Sequence, residues 1–312
     1  MPACLTHYTF AKMVTPPDEK ERFDVVALGT QGSDPFFYYG ILPFWSGPDK
    51  DEIQDVGERI HHEEIGFYYP RLIEYALKSE KKDMLLTYID ALWMHYCVDR
   101  NIHPYVFARS GIGDGGKLKG YYKFSHGCFE AILDCYFSRK YGKFTKTSNT
   151  INVNDEDLME ISKMWFVLED VFPILKEDSY FKAVKAYKGV EGVLWSRTGL
   201  KRILFRLVGK HSLAHGMSYP KFYRRYNYID ILNESHAEWP HPVTGKMMNA
   251  SVDDMVKKAK QDYQRVHAIM EEAKKGIDKK NAFVSFVNKL NHDGVMYLSE
   301  IRHYRLCWKK GE

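Results

Sequence analysis

The stretch Trp93-Met94-His95-Tyr96-Cys97-Val98-Asp99-Arg100-Asn101-Ile102-His103-Pro104 is the most informative in the chain. His95, Asp99 and His103 recur every four residues, so at about 100° per residue they share one helix face within an arc of roughly 80°. A buried face should be apolar. Two imidazoles and a carboxylate are costly to bury unless they are paired or bound to metal. His95 and His103 stand about 12 Å apart along a helix axis, too far for both to grip one zinc at about 2.0–2.1 Å. The spacing therefore points to a cluster, in which His95 and Asp99 share one ion, Asp99 bridges to a second and His103 reaches a further one. Pro104 disfavours helical geometry at the residue before it, so a turn is expected at His103 that frees its imidazole.

Helical periodicity dominates on both sides of this stretch. Segments near 53–69, 82–102, 124–138, 155–167, 178–188, 197–209, 251–275 and 280–290 read as helices. Asn154-Asp155 and Ser251-Val252-Asp253-Asp254 look like N-caps with acidic first turns. The first 50 residues are less regular, with Pro16-Pro17, Gly29 to Gly32 and Pro43 to Pro48 marking loops. An all-α fold is expected, a multi-helix bundle with additional C-terminal helices. The polar stretch from Lys143 to Asn154 suits a surface loop inside one fold as well as a domain boundary. We read residues 1–312 as a single all-helical domain, with a metal-site core over 1–142 and a C-terminal helical region over 155–312.

Composition narrows the function classes. Of 312 residues, 45% are hydrophobic, 15% aromatic and 28% charged, which excludes a disordered chain because apolar surface is ample. No apolar run approaches the roughly 20 residues needed to span a bilayer. The formal charge of +4 is uneven: residues 201–312 carry 21 Lys and Arg against 12 Asp and Glu, a balance of +9 that leaves −5 for the rest. Such a basic third can attract phosphate-bearing substrates or an anionic membrane surface, although Lys257-Lys258-Ala259-Lys260 reads as a solvated helix face. Five cysteines without a Cys-x-x-Cys pair indicate reduced, mostly buried thiols. The start Met1-Pro2-Ala3-Cys4-Leu5-Thr6-His7 does not read as a secretory signal, so a cytoplasmic protein is expected.

Further candidate ligands flank the central stretch. His126-Gly127-Cys128-Phe129-Glu130 sets a His and a carboxylate four residues apart, a spacing that suits a metal on one helix face. Alone such a pair is common; beside His95 it gains weight. In Arg59-Ile60-His61-His62-Glu63-Glu64-Ile65 the adjacent histidines point about 100° apart, so at most one faces a shared site. His61 shares a side with Ile65, Tyr68 and Leu72 and is favoured, with His62 as the alternative. Asp34, before Pro35 in a Gly-rich loop, reads on its own as a turn initiator, and His7 by itself carries no signal. The run Phe36-Phe37-Tyr38-Tyr39 reads as core.

Taken in order on a helical chain, His7, Asp34, His61, His95-x-x-x-Asp99-x-x-x-His103 and His126-x-x-x-Glu130 resemble the zinc-dependent phospholipase C family, whose trinuclear zinc fold is shared with the single-strand-specific nucleases. The phrases Gly32-Ser33-Asp34-Pro35-Phe36, Asp99-Arg100-Asn101-Ile102-His103-Pro104 and Trp239-Pro240-His241-Pro242-Val243-Thr244-Gly245 are similar to uncharacterised bacterial members. The resemblance covers residues 1 to about 135, with a weaker echo near 233–245.

That resemblance implies up to three zinc ions: one held by Asp34, His61, His95 and Asp99; a second bridged by Asp99 and bound by His7 and the free chain terminus; a third held by His103, His126 and Glu130. Met1 before a small residue is a candidate for removal, which makes Pro2 the implied terminal ligand. Asp34 is the implied catalytic residue, orienting a metal-activated water or taking its proton. The implied substrate is a phosphodiester, with phospholipid first, peripheral membrane contact second and nucleic acid third. Two features depart from the secreted phospholipases: the step from Asp99 to His103 is two residues shorter, and the start reads as cytoplasmic. An aromatic and basic run, Phe222-Tyr223-Arg224-Arg225-Tyr226-Asn227-Tyr228, is the best stacking platform for a nuclease, though at helical spacing it reads as core with surface charge. A non-catalytic helical scaffold with a structural metal cluster is the competing class. His211, His215, His236, His241, His267, His292 and His303 fall in no ligand motif.

Overall fold

The computed structural model describes residues 4–41, 47–62, 65–112, 120–196, 198–273 and 303–307. Its organising element is α5 (Lys82–Ser110), a helix of 29 residues whose apolar side chains are buried around its circumference. A helix that is hydrophobic all round must be enclosed by others. Around it pack α1 (Cys4–Val14), α2 (Phe23–Gly29), α4 (Ile65–Lys78), α6 (Tyr121–Tyr141) and α11 (Val252–Ala273). The protein is all-α, and the only strands among the described residues are β1 (Trp239–Pro240) and β2 (Met247–Met248), paired antiparallel.

The turn expected at His103 does not form. Helix α5 continues through Pro104 to Ser110. Proline removes one backbone donor and disfavours the helix locally, but burial of Ile102, Tyr105, Val106 and Phe107 on both sides of it outweighs that local preference. His103 thus keeps its place on the helical stripe.

The periodic segment near 53–69 is α3 (Lys50–His62) and the first residues of α4. Helices α1 and α2, in the irregular first 50 residues, have no counterpart in the expected set. The expected helix at 280–290 lies outside the described residues.

The capping signals at 154 and 251 hold. In α7 (Asp155–Phe166) the Asn154 side chain accepts from the Asp157 amide at 2.9 Å. At the start of α11, Ser251 Oγ accepts from the Asp254 amide at 3.2 Å while the Asp254 carboxylate accepts from the Ser251 amide at 2.9 Å, a reciprocal capping box. Between α6 and α7, Thr147, Ser148 and Ile151 are buried. One buried apolar cluster runs from Cys4 through Trp165 and α8 (Ser179–Leu194) to Met270.

The hairpin of β1 and β2 embraces the Trp239–Gly245 phrase. Trp239 packs edge-on against Tyr105 of α5, ring centroids 5.3 Å apart. Farther out, α9 (Leu200–Val208) and α10 (Leu213–Met217) cover the side of α6 that faces away from α5. All five cysteines are free, four of them buried.

Candidate metal centre

Three elements and a loop bring the polar stripe of α5 its partners. His7 comes from α1, His61 from the end of α3, His126 and Glu130 from α6, and Asp34 from the loop after α2. All eight candidate side chains among the described residues converge, in three sets whose ligand atoms lie within 4.8 Å of one another: Asp34, His61 and His95; His7, His95 and Asp99; His103, His126 and Glu130. Each set could hold a metal ion. Pro2 lies outside the described residues, and so does the side chain of His62.

Distances within the first two sets are short. His61 Nε2 is 2.9 Å from Asp34 Oδ1 and 3.2 Å from His95 Nε2. One oxygen of Asp99 lies 3.3 Å from His95 Nε2, and the other lies 3.3 Å from His7 Nε2. The His7 and His95 rings stack at 4.4 Å. In the third set, Glu130 Oε1 is 3.1 Å from His126 Nε2 and 3.6 Å from His103 Nε2. His103 Nδ1, 3.9 Å from Asp99 Oδ2, links the two ends of the stripe.

Hydrogen bonds behind the site fix which nitrogen of His61, His95 and His126 points inward. His95 Nδ1 lies 3.2 Å from the Thr30 carbonyl, and His61 Nδ1 lies 2.6 Å from the Gly57 carbonyl. A carbonyl can only accept, so both Nδ1 atoms carry a proton and both Nε2 atoms face into the site, that of His61 toward the Asp34 carboxylate. Ser110 gives its one hydroxyl proton to the Val106 carbonyl at 2.7 Å, so it accepts from His126 Nδ1 at 3.2 Å and turns that Nε2 inward as well. This is the support that metal-ligating histidines ordinarily have.

The protonation pattern suits a cation. Burial pushes His95 and His103 down to about 4, and burial also lowers His126. Burial works against ionising Asp99 and Glu130, but the histidines beside them outweigh it and hold both carboxyls low. His61 is opposed by burial yet raised by its hydrogen bond to Asp34. Neutral His95, His103 and His126 beside ionised Asp99 and Glu130 are the states in which these groups bind metal, and His61 would give up its proton on binding.

Buried polar atoms test the fit. Both ring nitrogens of His7 and both carboxylate oxygens of Asp99 are enclosed and make no properly directed hydrogen bond. Leaving such atoms unsatisfied costs roughly 1–3 kcal/mol each, so the set is explained if a cation completes it. The loop also leaves no spare volume: Gly32 has φ of 59°, and a Cβ there would stand 2.3 Å from His95 Cδ2. The Asp34 loop is therefore more than a turn, since Thr30 orients His95, Gly32 packs on it and Asp34 faces it.

One residue of the arrangement was not among the expected set. Asp134, buried on α6, accepts from the amides of Leu5 at 2.9 Å and Thr6 at 2.7 Å, from Thr6 Oγ1 at 2.6 Å and from the Tyr219 hydroxyl at 2.9 Å. It satisfies the free amides at the start of α1 from another helix and so places His7 one residue on. Burial lifts its carboxyl to about 6, with the four donors pulling against that rise. The signal was present: His126, Glu130 and Asp134 continue the spacing of four along α6. Of the histidines in no ligand motif, His267 Nδ1 lies 3.0 Å from Asp90 and His215 Nδ1 meets the Lys210 carbonyl, while His292 lies outside the described residues.

Comparisons with family models, with curated proteins and with solved structures returned no match to this chain.

Proposed function

We propose that this chain is a zinc-dependent phosphodiester hydrolase of the phospholipase C type. The observation that carries the reading is the convergence of His61 Nε2, His95 Nε2 and Asp34 Oδ1, the two nitrogens 3.2 Å apart, in a run of three adjoining His and carboxylate sets in which buried atoms of His7 and Asp99 make no hydrogen bond. A cation at that point would replace the proton that His61 shares with Asp34 and bind all three atoms. Nitrogen and carboxylate oxygen donors suit zinc. Asp34, His61 and His95 would hold one ion, His7 and Asp99 a second, and His103, His126 and Glu130 a third. Bound there, zinc would supply a water acidified toward about pH 7 and positive charge for the phosphoryl oxygens.

The chain's own groups do the rest. Asp34 Oδ1, 2.9 Å from His61 Nε2, is placed to orient the attacking water and take its proton. Thr30, Gly57 and Ser110 hold the imidazoles in one tautomer, so no reorganisation is needed during the reaction. Burial of His7, His95 and Asp99 excludes bulk water and strengthens each electrostatic contact. The ordered motif from His7 to Glu130, similar to that of the zinc-dependent phospholipases, supports a phosphodiester as substrate and phospholipid as its first class.

Zinc content by elemental analysis, followed by rates on phosphatidylcholine, a bis-aryl phosphate and single-stranded DNA, tests the reading. Three zinc ions per chain with preference for lipid is the expected result. Preference for DNA replaces the phospholipase with a nuclease, and bound zinc without hydrolysis of any of the three replaces the enzyme with a scaffold.

A further inference from the structure

Helix α9 has an unusual surface. Its sequence, Leu-Lys-Arg-Ile-Leu-Phe-Arg-Leu-Val, places Leu200, Ile203, Leu204, Leu207 and Val208 within an arc of about 140° at about 100° per residue. In a globular protein such a stripe faces the core. Here it faces outward, with Ile203 58%, Leu207 79% and Val208 81% exposed. The buried residue of the helix is Arg202, on the opposite side. Its guanidinium donates to the carbonyls of His215 at 2.9 Å and Gly216 at 3.2 Å, and to that of Ser218. The helix is thus anchored by its arginine and shows its apolar side chains to the outside.

Beside this stripe lies a cavity of about 190 Å³. Arg202, Arg206, Lys210, Lys221 and Arg225 line it, and among the described residues no Asp or Glu does. Phe222, 69% exposed, stands at its wall and adds a further apolar group. With Arg202 committed to backbone carbonyls, Arg206, Lys210, Lys221 and Arg225 remain as cationic groups that suit an anion. A soluble anion has no use for the neighbouring apolar stripe. Apolar side chains flanked by a cationic hollow match one surface, the headgroup and acyl boundary of an anionic phospholipid layer.

We propose that α9 and the adjoining arginine-lined cavity dock this protein on anionic phospholipid membranes. Leu204, Leu207 and Val208 enter the acyl boundary with the helix lying flat, and the cavity receives a headgroup phosphate. No helix among the described residues is long and apolar enough to cross a membrane, so the contact is peripheral. On α6, Phe124 and Cys128 line this cavity while His126 and Glu130 face the metal sets, so the docking surface is separate from the metal sets and would tether the chain to the layer without itself delivering a lipid to them. Vesicle capture needs no hydrolysis, so its failure and that of the hydrolase reading are told apart.

The test is cosedimentation of the full chain with vesicles of phosphatidylcholine alone or mixed with phosphatidylglycerol. The proposal expects capture by the mixed vesicles only, lost as salt shortens the screening length from about 10 Å to about 3 Å. Leu207→Asp with Val208→Asp should weaken capture about tenfold or more, as should Arg206→Glu, with melting temperatures unchanged because these side chains are solvent-facing. Equal capture by both vesicles, capture that survives the variants, or none at all overturns it. So does a wild-type dimer that the double variant dissolves without any vesicle binding, which would make a second copy the occupant, or binding of inorganic phosphate alone.

Discussion

His61 Nε2 and His95 Nε2 face each other across 3.2 Å while the opposite nitrogen of each ring is committed to a backbone carbonyl, that of Gly57 and that of Thr30. Neither ring can turn its proton inward without breaking a buried hydrogen bond. The carbonyls therefore hold both Nε2 atoms toward the site, that of His61 against Asp34, in the orientation a metal ion would need.

Gly32 is the tightest point of that arrangement. Gly32→Ala would place a methyl 2.3 Å from His95 Cδ2 at a backbone φ of 59°. The strain of that φ and the displaced ring should together cost on the order of 1–3 kcal/mol. Thermal unfolding should show the loss, and elemental analysis should show a fall in bound metal that an equally destabilising surface substitution does not produce.

Asp134 ties α6 to α1 through three hydrogen bonds and to Tyr219 through a fourth. Asp134→Ala leaves buried amide and hydroxyl donors without acceptors, at roughly 1–3 kcal/mol for each one that stays dry. Urea denaturation should show a large drop in midpoint. Amide exchange over α1 should rise more than over α7, because the lost cap belongs to α1.

Glu191 of α8 carries a pH signature of its own. Burial lifts its carboxyl from 4.5 to about 7 in the folded chain, and one of its oxygens makes no hydrogen bond. A carboxyl raised by folding contributes stability that is whole below pH 4.5 and is lost as pH rises through about 7. Glu191→Gln cannot lose a proton. The variant should match the wild type near pH 4.5 and become more stable by an amount on the order of 3 kcal/mol above pH 7, read as a difference between urea midpoints so that other titrations cancel. A constant difference across that range would refute the assignment.

His126 separates the third set from the other two. With Ser110 behind it and Glu130 at 3.1 Å, it should hold one ion only. His126→Ala is expected to lower zinc from three to two per chain and to depress turnover with it. Full zinc and full activity in this variant would remove the third set from the hydrolase.

The stripe on α5 was legible because helical spacing is a local property. His95, Asp99 and His103 share a face whatever surrounds them, and the same rule pairs His126 with Glu130. Asp34 was harder to read. Asp before Pro in a Gly-rich loop has the composition of any turn, and only the packing of Gly32 on His95 shows that the loop belongs to the site. Asp134 went unread although its spacing from Glu130 was visible, because a buried carboxylate signals its use only when the donors it accepts from are known.

The helical class, the caps at Asn154 and Ser251 and the composition of each ligand stripe followed from the chain alone, since propensity and periodicity act over a few residues. Tertiary packing decided what depends on residues far apart in the chain. It carried α5 straight through Pro104, because burial along both flanks outweighs one missing backbone donor. It brought His7, Asp34 and His61 to the stripe and chose the inward nitrogen of each imidazole. It also turned the apolar side of α9 outward by giving its arginine buried carbonyls to hold. Hydrophobic pattern says that a face will be covered, and only the assembled neighbours determine by what.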